Sequence, residues 1–281
     1  HQRAWTGRKP GLERTQALLA SLGNPERRLR FVHITGTNGK GSTAAMTASI
    51  LAQAGLRAGL FTSPHLYRFH ERMQVNGAPI PDEVLGRLTQ QVLEVAEGMS
   101  DPPTEFELMT AVGMEFFLEE QCDIVVLEVG LGGTLDSTNV IDAPECAVIT
   151  ALGMDHVKEL GPTLGDIAAA KAGIIKEGCP VVSYGGVPEA DIVIRRVCAE
   201  KHAELTEVDF SRLKYEGGSL DAVEFDFDGL TDVHLPLIGS YQPRNAATAI
   251  TALRVLRSRG WNIPDSAIRA ERILELNVEH P

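Results

Sequence analysis

The segment that most constrains this chain is Asp123-Ile124-Val125-Val126-Leu127-Glu128, a strand-length run that is apolar on both faces. A strand buried on both sides belongs in the middle of a parallel sheet with helices packed above and below it. Further β-rich runs lie at Phe31–Thr35, 57–61, 146–150 and 180–183. Helical patterns separate them at 11–22, 42–54, 82–97, 105–119, 164–175 and 189–200. This alternation predicts an α/β fold, a mostly parallel sheet with flanking helices. From 213 to 236 polar and apolar residues alternate around Gly-Gly and Asp-Gly turns, which predicts a small antiparallel edge region. Helical patterns at 244–257 and 265–274 close the chain. With no repeat, low-complexity tract or Pro/Gly/Ser linker, residues 1–281 read as one large domain.

Composition narrows the classes of function. With 26 basic and 38 acidic side chains the net charge is −12, which argues against a nucleic-acid binder working by bulk charge. Apolar runs such as 124–129 are too short to span a bilayer, so no membrane role is expected. The first ten residues are polar and basic, unlike a secretory signal, and they start with His rather than Met. Cys122, Cys146, Cys179 and Cys198 form no C-x-x-C pair and read as reduced thiols in a cytoplasmic protein.

Between the first strand and the helix after it lies Thr35-Gly36-Thr37-Asn38-Gly39-Lys40-Gly41-Ser42-Thr43. Glycines let the backbone turn so that its N–H groups face an anion, and the helix N-terminus and Lys40 add positive potential. The strict G-x-x-x-x-G-K-[ST] pattern is not met, because Ile34 holds its first position and Gly41 separates Lys40 from Ser42. The strand–turn–helix context nonetheless makes this a P-loop for a nucleotide phosphate. Glu128, at the C-terminal end of the central strand and followed by a Gly-rich turn, is where a metal-holding acid belongs. Asp155-His156 occupies the equivalent place after the 146–150 strand. Lys171 sits among alanines; if it faces inward, burial raises its neutral-amine fraction, and a neutral amine adds carbon dioxide to become a carbamate. Other segments have plain local readings. Thr104-Glu105-Phe106-Glu107 fits a capping box, Asp136 and Asn139 fit an Asx-type turn, and Pro243 and Asn245 suit a helix start.

Taken together, Gly-Thr-Asn-Gly-Lys-Gly-Ser, the Thr62-Ser63-Pro64-His65-Leu66 loop, Leu135-Asp136-Ser137-Thr138-Asn139 and the Gly239–Thr248 segment resemble the folylpolyglutamate synthase and dihydrofolate synthase family of the Mur ligase superfamily. The resemblance implies the superfamily's central ATPase-like domain and ATP-dependent addition of L-glutamate to dihydropteroate or folate through an acyl phosphate. It implies ATP contacts at Gly36 to Ser42 and at Asn245, with Lys40, Glu128, His156 and Lys171 as catalytic residues. It places Ser63, Glu128, His156 and carbamylated Lys171 on magnesium at two sites, Ser63, Glu128 and His156 sharing one ion and Lys171 helping with the second. Thr104, Glu105, Phe106, Glu107, Leu135, Asp136 and Ser137 would line the pterin pocket. Two positions depart from the family: Thr134 stands where Arg is usual, and Tyr241 where His is usual. The chain is expected to act as a cytoplasmic monomer, and to stop before the family's C-terminal glutamate-binding domain. The alternatives are a muramyl or cyanophycin type ligase, and a nucleotide-binding module with little catalysis.

Overall fold

The structure, a computed structural model, describes residues 11–65, 67–218 and 222–269. A first helix, α1 (Glu13–Ser21), leads to β1 (Phe31–Thr35), α2 (Lys40–Gln53) and β2 (Ala58–Phe61). Two short strands follow, β3 (Met73–Val75) and β4 (Ala78–Pro79), then α3 (Asp82–Glu97), α4 (Glu105–Glu119) and β5 (Ile124–Glu128). Next come β6 (Cys146–Ile149), α5 (Val157–Leu160), α6 (Leu164–Ala172), β7 (Val181–Ser183), α7 (Pro188–Glu200) and β8 (Leu205–Glu207). The described chain ends with β9 (Leu213–Gly218), β10 (Val223–Phe227), β11 (Leu230–Leu235), α8 (Gln242–Ser258) and α9 (Asp265–Ile268).

Eight strands form one sheet in the order β4-β3-β2-β5-β1-β6-β7-β8. The six from β2 to β8 run parallel, and β3 and β4 add an antiparallel margin. β5 is fully buried between β2 and β1, as a run apolar on both faces requires. Its side chains divide by the period of two: Ile124 and Val126 pack on the α2 and α8 side, while Val125 and Leu127 pack on the α3 and α4 side. A third cluster joins Ala147 and Ile149 of β6 to Ala172 at the end of α6 and to Ile194 and Cys198 of α7.

The small antiparallel region expected over 213–236 is present. β9, β10 and β11 form a separate three-stranded sheet rather than an edge of the main one. Phe225, Phe227, Leu230, Val233 and Leu235 are buried in the cluster that contains α2 and α8, so this small sheet caps those helices. α6 stops at Ala172 rather than running to 175, and α2 begins two residues earlier than expected, at Lys40. The expected helix at 265–274 is seen over Asp265–Ile268 and is capped by Arg269, and 270–274, like Leu66 and the polar start of the chain, lie outside the described residues. Among the described residues no helix is long and apolar enough to cross a membrane.

Candidate active site

The C-terminal ends of β5, β1 and β6 lie side by side, and the parallel register sets Ile34 opposite Glu128 and Thr35 opposite Ile149. In such sheets this edge is where ligands bind. The loop from Gly36 to Gly39 is held against the residues after β6. Thr37 and Asn38 N–H both donate to the Ala151 carbonyl at 3.0 and 3.1 Å, and the Thr150 hydroxyl donates to the Asn38 carbonyl at 2.8 Å. α2 then starts at Lys40, so the N–H groups of its first turn, including Lys40, Gly41 and Ser42, have no intrahelical acceptor and point outward with the positive end of the helix dipole. Gly39 precedes it with φ +81°, and a Cβ there would lie 2.4 Å from Asn245 Oδ1. Asn245 is buried and donates from Nδ2 to Gln242 Oε1 at 3.0 Å, while Gln242 Nε2 donates to Ser42 Oγ at 3.4 Å. Asn245 and the phosphate loop, two hundred residues apart in sequence, are thus in contact.

Beside this turn is a pocket lined by Thr35, Gly36, Lys40, Asp155, His156 and Lys171, among others. Lys171 does face inward. It is 4% exposed, and Nζ donates to the Gly36 carbonyl at 2.7 Å. Burial, reinforced by the nearby Lys40 charge, brings its pKa down to about 8. His156 has a left-handed backbone at the start of α5, and its half-exposed ring lies 3.5 Å from the Asp155 carboxylate. Glu128 lies on the other flank of α2. It is 4% exposed, its Oε2 accepts from Ser63 N–H at 3.1 Å, and burial pushes its pKa up to about 7 despite the pull of Lys40.

These donors fit a hard cation. A dehydrated carboxylate holding one backbone N–H, with the Ser63 hydroxyl next to it, has oxygen lone pairs to spare. Among the described residues no three His, Cys, Asp or Glu side chains come together as a ready-made metal cage. Ser63 N–H bonds Glu128 at the end of β5, and His156 lines the pocket that holds Lys171 and Lys40. The ends of β5 and β6 lie on either side of β1 and the P-loop that follows it.

The other expected residues divide into those committed to structure and those left open. Thr104 and Glu107 form the capping box of α4, and Glu107 also takes an ion pair from Arg14 at 2.9 Å. Its carboxylate is therefore occupied. Asp136 is buried, accepting from the Leu131 N–H at 2.8 Å and the Thr138 hydroxyl at 2.6 Å. Ser137 Oγ lies 2.7 Å from Thr110 Oγ1, which joins the 135–139 loop to α4. Phe106 packs edge-on against Phe61 with ring centroids 6.3 Å apart. Leu135 and Glu105 are exposed at this corner.

Residues 34–253 match the Mur ligase middle domain. The chain is 42% identical to the dihydrofolate synthase/folylpolyglutamate synthase of Bacillus subtilis (strain 168), covering all of this chain and 69% of that protein. The chain belongs to this ligase family. It is also 41% identical to the folylpolyglutamate synthase of Lacticaseibacillus casei over 91% of its own length and 62% of the relative's. A solved FPGS–AMPPCP–folate complex superposes with a TM-score of 0.86 at 37% identity, covering 96% of this chain and 67% of that one. The chain thus spans about two thirds of the length of these relatives.

Asp155 lines the pocket next to His156. Within this Mur ligase chain one further residue joins the site that sequence reasoning did not select. Arg72 is half-buried, donating from Nε to His65 Nδ1 at 2.8 Å and from one terminal nitrogen to Ser63 Oγ at 3.3 Å. It also stacks over Phe69 at 5.5 Å. No spacing in the sequence marks it, because it reaches Ser63 only through the turn back into β3. Of the two departures, Tyr241 is an exposed residue at the start of α8, and Thr134 is bonded to the end of α6.

Proposed function

We propose that this chain serves the ATP-dependent addition of L-glutamate to dihydropteroate or a reduced folate, acting in the cytoplasm as a monomer and giving ADP, phosphate and an amide. The observation that carries the reading is the gathering of Lys40, Lys171 and His156 around the N-terminus of α2, with Glu128 on its other flank. The names of the relatives and the bound AMPPCP and folate of the solved complex support it.

In the first step a carboxylate oxygen of the pterin substrate bonds to the γ-phosphorus of ATP, and the bond to the β–γ bridging oxygen breaks, releasing ADP. In the second, the glutamate amine bonds to the acyl carbon, phosphate leaves with the C–O electron pair, and the amine proton passes to water. The protein's part is positioning and charge neutralisation. Outward N–H groups of α2 and the Lys40 ammonium hold the β- and γ-phosphate oxygens. Ser63, Glu128 and His156 would hold one magnesium ion, and carbamylated Lys171 would help hold a second. When bound, magnesium supplies further neutralisation of phosphate charge. The carbamate forms when the neutral Lys171 amine bonds to the carbon of carbon dioxide, a C=O π pair moves onto oxygen and a proton is released. Phe106 and Leu135 offer apolar surface to the pterin, while Glu107 and Asp136 keep that corner in shape through their own hydrogen bonds.

Dihydropteroate labelled with ¹⁸O in its carboxylate tests the route directly. Incubated with the chain, ATP, magnesium and glutamate, it should pass one label to the inorganic phosphate. Release of unlabelled phosphate only, or turnover with a muramyl substrate instead, would overturn the proposal. Sedimentation of the chain checks the monomer.

A further inference from the structure

We propose that Thr134 and Asn139 are positioning residues for Lys171, fixing the end of α6 so that the lysine nitrogen reaches the phosphate loop. This rests on the reading of Lys171 as part of the ATP site. The last carbonyls of a helix lack intrahelical partners, so whatever binds them decides how the final turn sits. In α6 the Ala170 carbonyl accepts twice from Thr134, from its N–H at 2.9 Å and from its hydroxyl at 2.9 Å. Three residues on, the Gly173 carbonyl accepts from Asn139 Nδ2 at 3.1 Å. The same amide group donates to the Thr134 carbonyl at 3.1 Å, tying the two clamps into one unit. Lys176 Nζ closes the arrangement by donating to the Asn139 carbonyl at 3.2 Å.

Lys171 lies between the two clamped carbonyls, at 170 and 173. Its side chain crosses from the helix end to the Gly36 carbonyl, 2.7 Å from Nζ. A four-carbon stem with free rotations specifies little by itself, so the placement of the nitrogen follows from where the backbone is held. Thr134 is also exposed, and its hydroxyl contributes little to the core. Stability and positioning are therefore separable at this one atom, which Val removes and Ser keeps.

The test compares the chain with its Thr134→Val and Thr134→Ser forms in two readouts. One is the lysine carbamate signal by ¹³C NMR in ¹³C-bicarbonate, and the other is the magnesium-dependent affinity for AMPPCP by calorimetry. Thr134→Val should lower both about fivefold, the factor carried by one neutral hydrogen bond. Thr134→Ser should bring both back to within about twofold, and urea midpoints of all three should agree within about 0.5 M. Unchanged readouts in the Val form, or a Ser form as impaired as the Val form, would overturn the proposal. Loss of AMPPCP affinity with no carbamate signal in any form would refute carbamylation and leave the positioning role supported.

Discussion

The contact between Gly39 and Asn245 joins the phosphate loop to the start of α8 and leaves no room for a side chain. Gly39→Ala would impose two separate costs. At φ +81° an L side chain is in the left-handed region, worth roughly 1–2 kcal/mol. The new Cβ would also sit 2.4 Å from Oδ1 and 3.0 Å from Cγ of Asn245. That amide is buried and bonded to Gln242, so it has little freedom to retreat, and overpacking of this kind adds roughly 1–3 kcal/mol. The single variant should therefore lose roughly 2–5 kcal/mol in urea unfolding. Gly55→Ala isolates the first cost, since Gly55 has φ +86° and open space around its Cβ position. It should lose only the roughly 1–2 kcal/mol of backbone strain. In a double-mutant cycle, Asn245→Ala should recover the steric part, making the double variant more stable than the sum of the singles by roughly 1–3 kcal/mol. Additivity within about 0.5 kcal/mol would refute the contact, and with it the placement of Asn245 against the loop.

Lys40 Nζ donates one long hydrogen bond among the described residues, to the Thr37 carbonyl at 3.4 Å, so Lys40→Ala should leave the melting temperature nearly unchanged while weakening AMPPCP roughly tenfold or more by calorimetry. His33 is fully buried with its pKa lowered to about 3, so its contribution to stability is complete above its unfolded value of 6.5 and is lost as pH falls toward 3. Between pH 6.5 and 5 that loss should approach about 2 kcal/mol, and His33→Gln should flatten the acid limb of the urea-derived stability profile; an unaltered slope would show that His33 is not the group responsible. For Glu128 the sign is opposite. A buried acid with its pKa raised to about 7 costs the native state nothing below about pH 4.5, and its cost grows as pH rises to about 7. In EDTA, Glu128→Gln should thus be more stable than the parent at pH 8 by as much as about 3 kcal/mol, the gap closing toward pH 4.5; equal stabilities at pH 8 would refute the desolvation argument.

Sequence reading found the elements whose pattern is strong and local. The boundaries of α3 and α4 are those the periodicity implies, and the two-faced apolar run is the central strand. It missed β3, β4 and β8, which are two or three residues long and leave no readable period. It found the alternating segment as antiparallel hairpins but not the helices they cover, because alternation tells which side chains are buried and not what they are buried against. The same limit governed the site. Strand-to-helix turns and strand-end acids carry local chemistry, so Lys40 and Glu128 were visible. Whether Lys171 faced inward, and whether Glu107 was free, depended on partners far away in the chain: Gly36 for the lysine and Arg14 for the glutamate.

What assembles the site is the register of three parallel strands more than any loop. Glu128 is the fifth residue of β5, and Val126 and Ile124, two and four places earlier, face α2. Glu128 therefore points to the α2 side, where Gly41 leaves its carboxylate oxygens 3.6 and 3.8 Å from the position a Cβ would take. A slip of one residue between β1 and β5 would turn Glu128 to the α4 side and set an apolar residue beside the phosphate loop. Equally, Thr150 and Ala151 can hold Thr37 and Asn38 only because Thr35 pairs with Ile149 at the other edge of β1. The burial of Val125, Leu127, Ala147 and Ile149 therefore fixes where Glu128 and the phosphate loop stand, although none of these residues carries any chemistry itself. That dependence also explains how a chain of net charge −12 can hold polyphosphate. The attraction comes from backbone N–H groups, a lysine and a helix end, all placed within a few ångströms by strand pairing. At that range their orientation outweighs a diffuse acidic surface that salt screens over about 10 Å.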